Sequence, residues 1–158
     1  MPTIVICAFS LIAWHPALSG TFHYDDEHSV VANYHIRTLD SPWRFLLDRG
    51  QFSVDHDKTM HRPLVVLSLA LDYALSGSSP VAYMATNLAA HIGTALAVWW
   101  LAGLLGASPT GALLAGVLFA VHPVCSEPVN YVSARSESMA VGFGLWGVGL
   151  WVRRMPRP

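Results

Sequence analysis

Between Asp72 and Glu127 the chain carries no aspartate, glutamate, lysine or arginine, and so long an uncharged stretch cannot form the surface of a water-soluble domain. Two further gaps, Met1 to Tyr24 and Ser138 to Val152, alternate with polar segments. A single apolar run is compatible with a buried helix or a secretory signal. Several separated by polar chain read as membrane spans. Composition agrees: 12% of residues are charged and 53% apolar, where soluble domains carry roughly 25% charged residues.

The reading is an all-α integral membrane protein, one membrane domain with about four transmembrane helices at 3–18, 81–105, 110–124 and 138–152. Residues 19–80 form a long first outer loop with short interfacial helices. Thr3 to Leu18 ends in Ala17-Leu18-Ser19-Gly20, compatible with a cleavage site, but no basic residue precedes it, so an uncleaved span is preferred. Within the loop, Val30 to Leu39 and Pro42 to Asp48 carry apolar residues at helical spacing and suit helices lying in the interface. Leu64 to Leu75 rises only about 18 Å as a helix, short for a membrane core of about 30 Å. It reads as interfacial or partly buried, with a short span as the rival. Gly77-Ser78-Ser79-Pro80 and Gly106-Ala107-Ser108-Pro109 are turns.

Arg153, Arg154 and Arg157 follow the last span and place it with its end in the cytoplasm. Counting back puts both termini inside and both ionisable segments, Asp25 to His28 and Glu127 to Glu137, on the outer or lumenal face. The membrane is the plasma membrane in a bacterial cell or the endoplasmic reticulum in a eukaryotic one. A net charge of −1 without a basic tract argues against a nucleic-acid partner. Cys7 and Cys125 sit too far apart in the topology for a disulfide, and no Cys/His metal spacing occurs.

Asp25, Asp26 and Glu27 suit either a solvated loop, a general base whose pKa a neighbouring acid raises, or a pair for a hard divalent cation. If the chain after Pro123 is helical, Glu127, Tyr131 and Arg135 fall on one face beside Asn130. That face would grip phosphate through the guanidinium or form an intrahelical Glu–Arg network. Tyr83, Asn87 and His91 repeat once per turn inside a span, where they bond to neighbouring helices or line a cavity. Arg62 opens the ambiguous helix, where it contacts a lipid phosphate or another part of the outer loop. Trp99, Trp100, Trp146 and Trp151 read as interface anchors or lipid-facing bulk. The glycines of the last span permit close helix contact, or simply reflect the frequency of glycine in such helices.

In chain order, Phe22-His23-Tyr24-Asp25-Asp26 with Asn33, Arg62-Pro63-Leu64, Tyr83 with Asn87 and His91, Phe119-Ala120-Val121-His122-Pro123, Glu127, Val129 and Ser133-Ala134-Arg135-Ser136-Glu137 form a series. The series resembles the amino-terminal part of GT-C type glycosyltransferases, nearest the transmembrane and tetratricopeptide-repeat O-mannosyltransferases and their bacterial relatives. The resemblance implies transfer of mannose or another sugar from a polyprenyl-phosphate carrier to a hydroxyl acceptor on a polypeptide. It implies Asp25 as general base and Asp26 as an orienting acid. Arg135 and Arg62 become candidates for the carrier phosphate, and Glu127, His122, Glu137 and His91 line the substrate pocket. A metal is compatible but not required. Enzymes of this type have many more spans, and some add helical repeats that this chain lacks. The expectation is therefore one half of a transferase site, completed by the remainder of the enzyme or a companion membrane subunit. The rivals are a scaffold or assembly subunit, in which the ionisable groups are dispersed, an inactive truncated fragment, and a transporter fragment.

Overall fold

Proline and glycine set the boundaries of most helices. In the computed structural model, which describes residues 1–155, helix α1 runs Pro2–Trp14 and continues as a 3-10 turn, His15–Ser19. Pro16 lacks the N–H that the next α-helical bond needs, which tightens this last turn. The outer loop then winds through a π turn at Glu27–Val31 and 3-10 turns at Tyr34–Arg37, Arg49–Phe52 and His56–Lys58, with a short helix α2 at Trp43–Leu47. Helix α3 (Pro63–Ser76) leads into α4 (Pro80–Leu104) through Gly77, whose φ of 58° suits glycine. Gly106, at φ 93°, turns α4 into α5 (Pro109–Val121). The chain bends by 47° at His122-Pro123 into α6 (Ser126–Asn130), and α7 runs Arg135–Arg154. Arg157, the third basic residue in the orientation argument, lies outside the described residues.

The chain is a multi-pass, helical integral membrane protein. Two helical stretches are long and apolar enough to cross a membrane, Pro2–Ser19 and Pro80–Leu104, and the bent pair α5–α6 makes a third if it is one span. The fourth expected span, 138–152, lies inside α7. That helix is about 30 Å long, but its polar ends leave it outside the set that qualifies on length and composition. Helix α3, with 14 residues, rises about 21 Å and is an apolar helix of the shorter class.

Helix α4 is central, packed by α1, α3, α5 and α7. Small residues allow the close crossings. A Cβ on Gly116 of α5 would stand 2.8 Å from both Ile6 of α1 and Trp99 of α4, and one on Gly142 of α7 would stand 2.8 Å from the Thr94 hydroxyl. Gly149 likewise meets the Trp100 ring, whereas Gly144 and Gly147 face open space. Trp100 and Trp146 lie against one another at 5.1 Å, and the Trp146 indole donates to the Gly93 carbonyl.

The loop between α1 and α3 is folded down onto the helices. Val30, Ile36, Phe45 and Phe52 bury against Val65, Val66 and Leu69 of α3, Tyr83 and Met84 of α4, and Val132. Buried Asn33 ties this layer together. Its amide nitrogen faces the carbonyls of Ser29, Gln51 and Phe52 at 3.0 to 3.2 Å, and its oxygen accepts from His35 N–H.

Beneath the loop, Arg135 is fully enclosed and engages all three nitrogens of its fork. Nε donates to Asn87 at 2.7 Å, Nη1 to Ser68 at 2.8 Å and Nη2 to the Tyr83 carbonyl at 2.9 Å. Nη2 also lies 2.6 Å from the Asp72 carboxylate, which accepts from Thr86 as well. Removing one partner of such a pair strands a buried charge. Arg135→Met is expected to lower stability by about 3–5 kcal/mol, measured by unfolding in mixed micelles, with Asp72→Leu/Arg135→Met recovering most of the loss. A double variant no better than the single one would contradict this account.

Candidate functional site

Tyr24 is the one non-glycine residue with a left-handed backbone among the described residues, at φ 41°, and its ring is almost wholly exposed. The turn it makes separates two adjacent acids into different roles. Asp26 points inward and is completely buried. One of its oxygens accepts from the Ser133 N–H at 2.8 Å and the Ser133 hydroxyl at 2.7 Å, the other from His23 N–H at 3.0 Å. Asp25 points outward, with its N–H donated to the Tyr131 hydroxyl at 3.0 Å. Ser29 and Ser133 add a hydroxyl contact at 2.9 Å. Asp25, Asp26 and Ser29 of the first loop are thus joined to Tyr131 and Ser133 of the α6–α7 connection.

Between them lies a cavity of about 380 Å³ whose lining includes Asp25, Lys58, Arg62, Glu127, Tyr131 and Glu137. The Lys58 ammonium is 3.3 Å from Asp25 Oδ1, and His28 Nε2 reaches the same oxygen at 3.3 Å. Arg62 donates to the Ser136 hydroxyl at 3.1 Å and lies 5.2 Å from the centre of the Phe52 ring. A neighbouring groove of about 480 Å³ runs from Arg62, Ser136 and Glu137 along Leu64, Met139 and Phe143, between α3 and α7. The polar cavity and the apolar groove therefore share Arg62, Ser136 and Glu137.

Of the residues singled out in the sequence, Asp25, Arg62, Glu127, Tyr131 and Glu137 come together around this cavity, with Asp26 behind it. Arg135, Asn87, His91 and His122 do not join them. Helix α6 ends at Asn130, and Tyr131 is extended, so Glu127, Tyr131 and Arg135 do not share a helical face. The break lets Tyr131 face the cavity while Arg135 turns inward, where all three of its nitrogens are engaged by Asn87, Ser68, Tyr83 and Asp72. Buried His91 bonds the Ala120 carbonyl at 2.9 Å, stacks on Phe119 and meets the edge of Trp14. Asn87 holds Arg135 and donates to the Tyr131 carbonyl at 3.0 Å. His122 is exposed and caps the turn at Pro123–Cys125 by accepting from Val124 N–H. All three make their hydrogen bonds within the bundle or its turns.

The expectation that neighbouring acids raise one another's pKa fails at Asp25. Lys58 above all, then the Tyr131 hydroxyl and His28, hold its carboxyl below the ordinary value of 3.8. Burial pushes the Tyr131 phenol upward, so it remains a neutral donor and acceptor. Among the described residues, no group of three or more His, Cys, Asp or Glu side chains converges as a metal site. Asp26 faces Ser133, away from Asp25, which separates the pair a divalent ion would need.

Sequence reasoning passed over Lys58, His28, Tyr131 as a hydroxyl, and Ser133 and Ser136. Lys58 is the only lysine in the chain, a signal that was available. The two serines flank Arg135 in the motif, but their roles depend on a chain reversal that spacing does not reveal.

Comparison with known proteins bears on the same region. The chain is 33% identical over 134 residues to protein O-mannosyl-transferase Tmtc1 of Drosophila melanogaster, covering 82% of this chain and 16% of the relative. Protein O-mannosyl-transferase tmtc2 of Xenopus laevis is 30% identical over 143 residues, covering 88% and 17%. For protein O-mannosyl-transferase TMTC4 of Homo sapiens the identity is 28% over 159 residues, covering 90% and 22%. This chain is homologous to one segment of these proteins. It spans less than a quarter of the length of these three curated relatives. No protein-family model matches the chain, and no solved structure does.

Because the folded pKa of Asp25 lies below its unfolded value, the contacts to its carboxylate are present above the ordinary aspartate range. They are lost as pH falls through the lowered value. Carbon-13 NMR of the Asp25 carboxyl is expected to give a midpoint below 3.8, moved upward in Lys58→Ala. A midpoint unaffected by that substitution would contradict the assigned contact.

Proposed function

We propose that this membrane domain forms part of a glycosyltransferase site that moves mannose, or another sugar, from a polyprenyl-phosphate carrier to a hydroxyl acceptor on a polypeptide. The observation that carries the reading is the junction at Arg62 of a polar cavity holding an ionised acid with an apolar groove between two helices. A lipid-linked sugar phosphate has the same division, an apolar chain joined through phosphate to a polar sugar. Homology to a segment of the protein O-mannosyl-transferases supports the reaction class.

In this reading Asp25 is the general base. The acceptor oxygen forms its bond to the anomeric carbon as the bond from that carbon to the phosphate oxygen breaks, its electron pair remaining on the phosphate. The acceptor proton passes to the Asp25 carboxylate. A lowered pKa keeps that carboxylate ionised at neutral pH, although it makes the base weaker. Arg62, at the mouth of the groove, stabilises the charge that develops on the departing phosphate. Arg135 is replaced in that role because Asp72 and its other partners occupy it. Asp26 orients the base through the backbone, since both its oxygens are taken. Glu127 and Glu137 shape the acceptor side of the cavity.

The rest of the catalytic machinery belongs to segments of the relatives that this chain does not span, or to a companion subunit. Transfer from labelled polyprenyl-phosphate-mannose to peptide acceptors is therefore to be measured with the chain alone and with the chain joined to the remaining spans of a relative. Asp25→Asn is expected to reduce transfer on the order of 10²- to 10⁴-fold, and Arg62→Ala to weaken use of the lipid donor. Undiminished transfer by Asp25→Asn would refute the assignment of the base.

A further inference from the structure

His28 lies on the π turn at Glu27–Val31 with its ring edge toward Phe52, 6.5 Å between centres, and its side chain 14% exposed. Its two nitrogens face different partners. Nε2 lies 3.3 Å from Asp25 Oδ1, and Nδ1 lies 2.9 Å from the Ser53 hydroxyl oxygen. Ser53 is buried, and its oxygen already accepts the Asp55 N–H at 2.9 Å. Among the described residues, the acceptor that the Ser53 hydroxyl reaches is His28 Nδ1. A buried hydroxyl that receives a backbone donor gives its own proton to the remaining partner. That makes Nδ1 an acceptor and puts the ring proton on Nε2, aimed at Asp25.

We propose that His28 is a positioning residue: its neutral Nε2–H tautomer, set by Ser53, clamps Asp25 Oδ1 so that Oδ2 takes the acceptor proton in the cavity. The proposal rests on the sugar-transfer reading given above. Lys58 reaches the same oxygen as His28, at 3.3 Å. The Tyr131 hydroxyl holds the backbone of Asp25. Arg62, Glu127 and Glu137 are the other charged groups facing the cavity. Two donors on one oxygen fix the carboxylate plane against rotation and distinguish its two oxygens. During transfer the proton moves from the acceptor to Oδ2, and His28 neither gains nor loses one. This differs from a relay, in which the imidazole itself would receive the proton.

The tautomer is tested directly by nitrogen-15 NMR of histidine-labelled chain in lipid nanodiscs near neutral pH. His28→Phe assigns the resonance among the eight histidines. A protonated Nε2 and an unprotonated Nδ1 are expected for His28, with Ser53→Ala giving a mixture of tautomers. A ring protonated at Nδ1, or at both nitrogens, overturns the proposal whatever the activity. In the transfer assay, His28→Phe is expected to lower kcat on the order of tenfold to a hundredfold with donor KM unchanged. His28→Gln, whose amide nitrogen reaches the place of Nε2, is expected to restore most of it. If Asp25→Asn abolishes transfer while His28→Phe leaves it intact, the positioning role fails and the transfer reading survives. If Asp25→Asn transfers normally, the underlying reading fails.

Discussion

The site depends on an enclosed guanidinium that never touches it. Arg135 joins α3, through Ser68 and Asp72, to α4, through Tyr83 and Asn87, at the start of α7. An unpaired charge there would be prohibitively costly, so these helices must meet where the fork can be satisfied. Asn87 then extends the network by donating to the Tyr131 carbonyl. Tyr131 and Ser133, placed in this way, are the groups that receive Asp25 and Asp26 from a loop more than a hundred residues earlier.

Two electrostatic environments result from one pair of adjacent acids. Asp26 is buried and fully hydrogen-bonded, which makes it a structural clasp. Asp25 stays at the cavity wall, where Lys58 and His28 favour its ionised form. The cavity is polar where the loop and the elbow between α6 and α7 meet, and becomes apolar between α3 and α7. Desolvation sorts the rest: charges lie at the loop and the helix ends, while glycine and alanine crossings fill the interior of the bundle.

The uncharged gaps announced a helical membrane protein, and Gly77, Gly106 and Pro109 marked the turns where they occur. Placing Asp25 and Glu127 on one face agrees with their lining one cavity. The break at Tyr131 was less legible. A helix continued through Glu127, Tyr131 and Arg135 satisfies the same spacing, and only tertiary demand, the Asp72 carboxylate within α3, pulls Arg135 out of register. Likewise, Asp25 and Asp26 are equivalent in sequence until the left-handed turn at Tyr24 aims them apart. His28 and Ser53 meet only because Asn33 gathers the loop around the carbonyls of Gln51 and Phe52.

Docking of the loop between α1 and α3 on the α6–α7 elbow has a direct geometric test. The Ser29 and Ser133 hydroxyl oxygens are 2.9 Å apart, close enough for cysteines at these positions to pair. With Cys7 and Cys125 replaced by alanine, Ser29→Cys/Ser133→Cys is expected to form an internal disulfide under mild oxidation in membranes. It would be seen as two fragments held together until reduction after cleavage in the intervening chain. Failure of the folded protein to crosslink would contradict the docking and the site built on it.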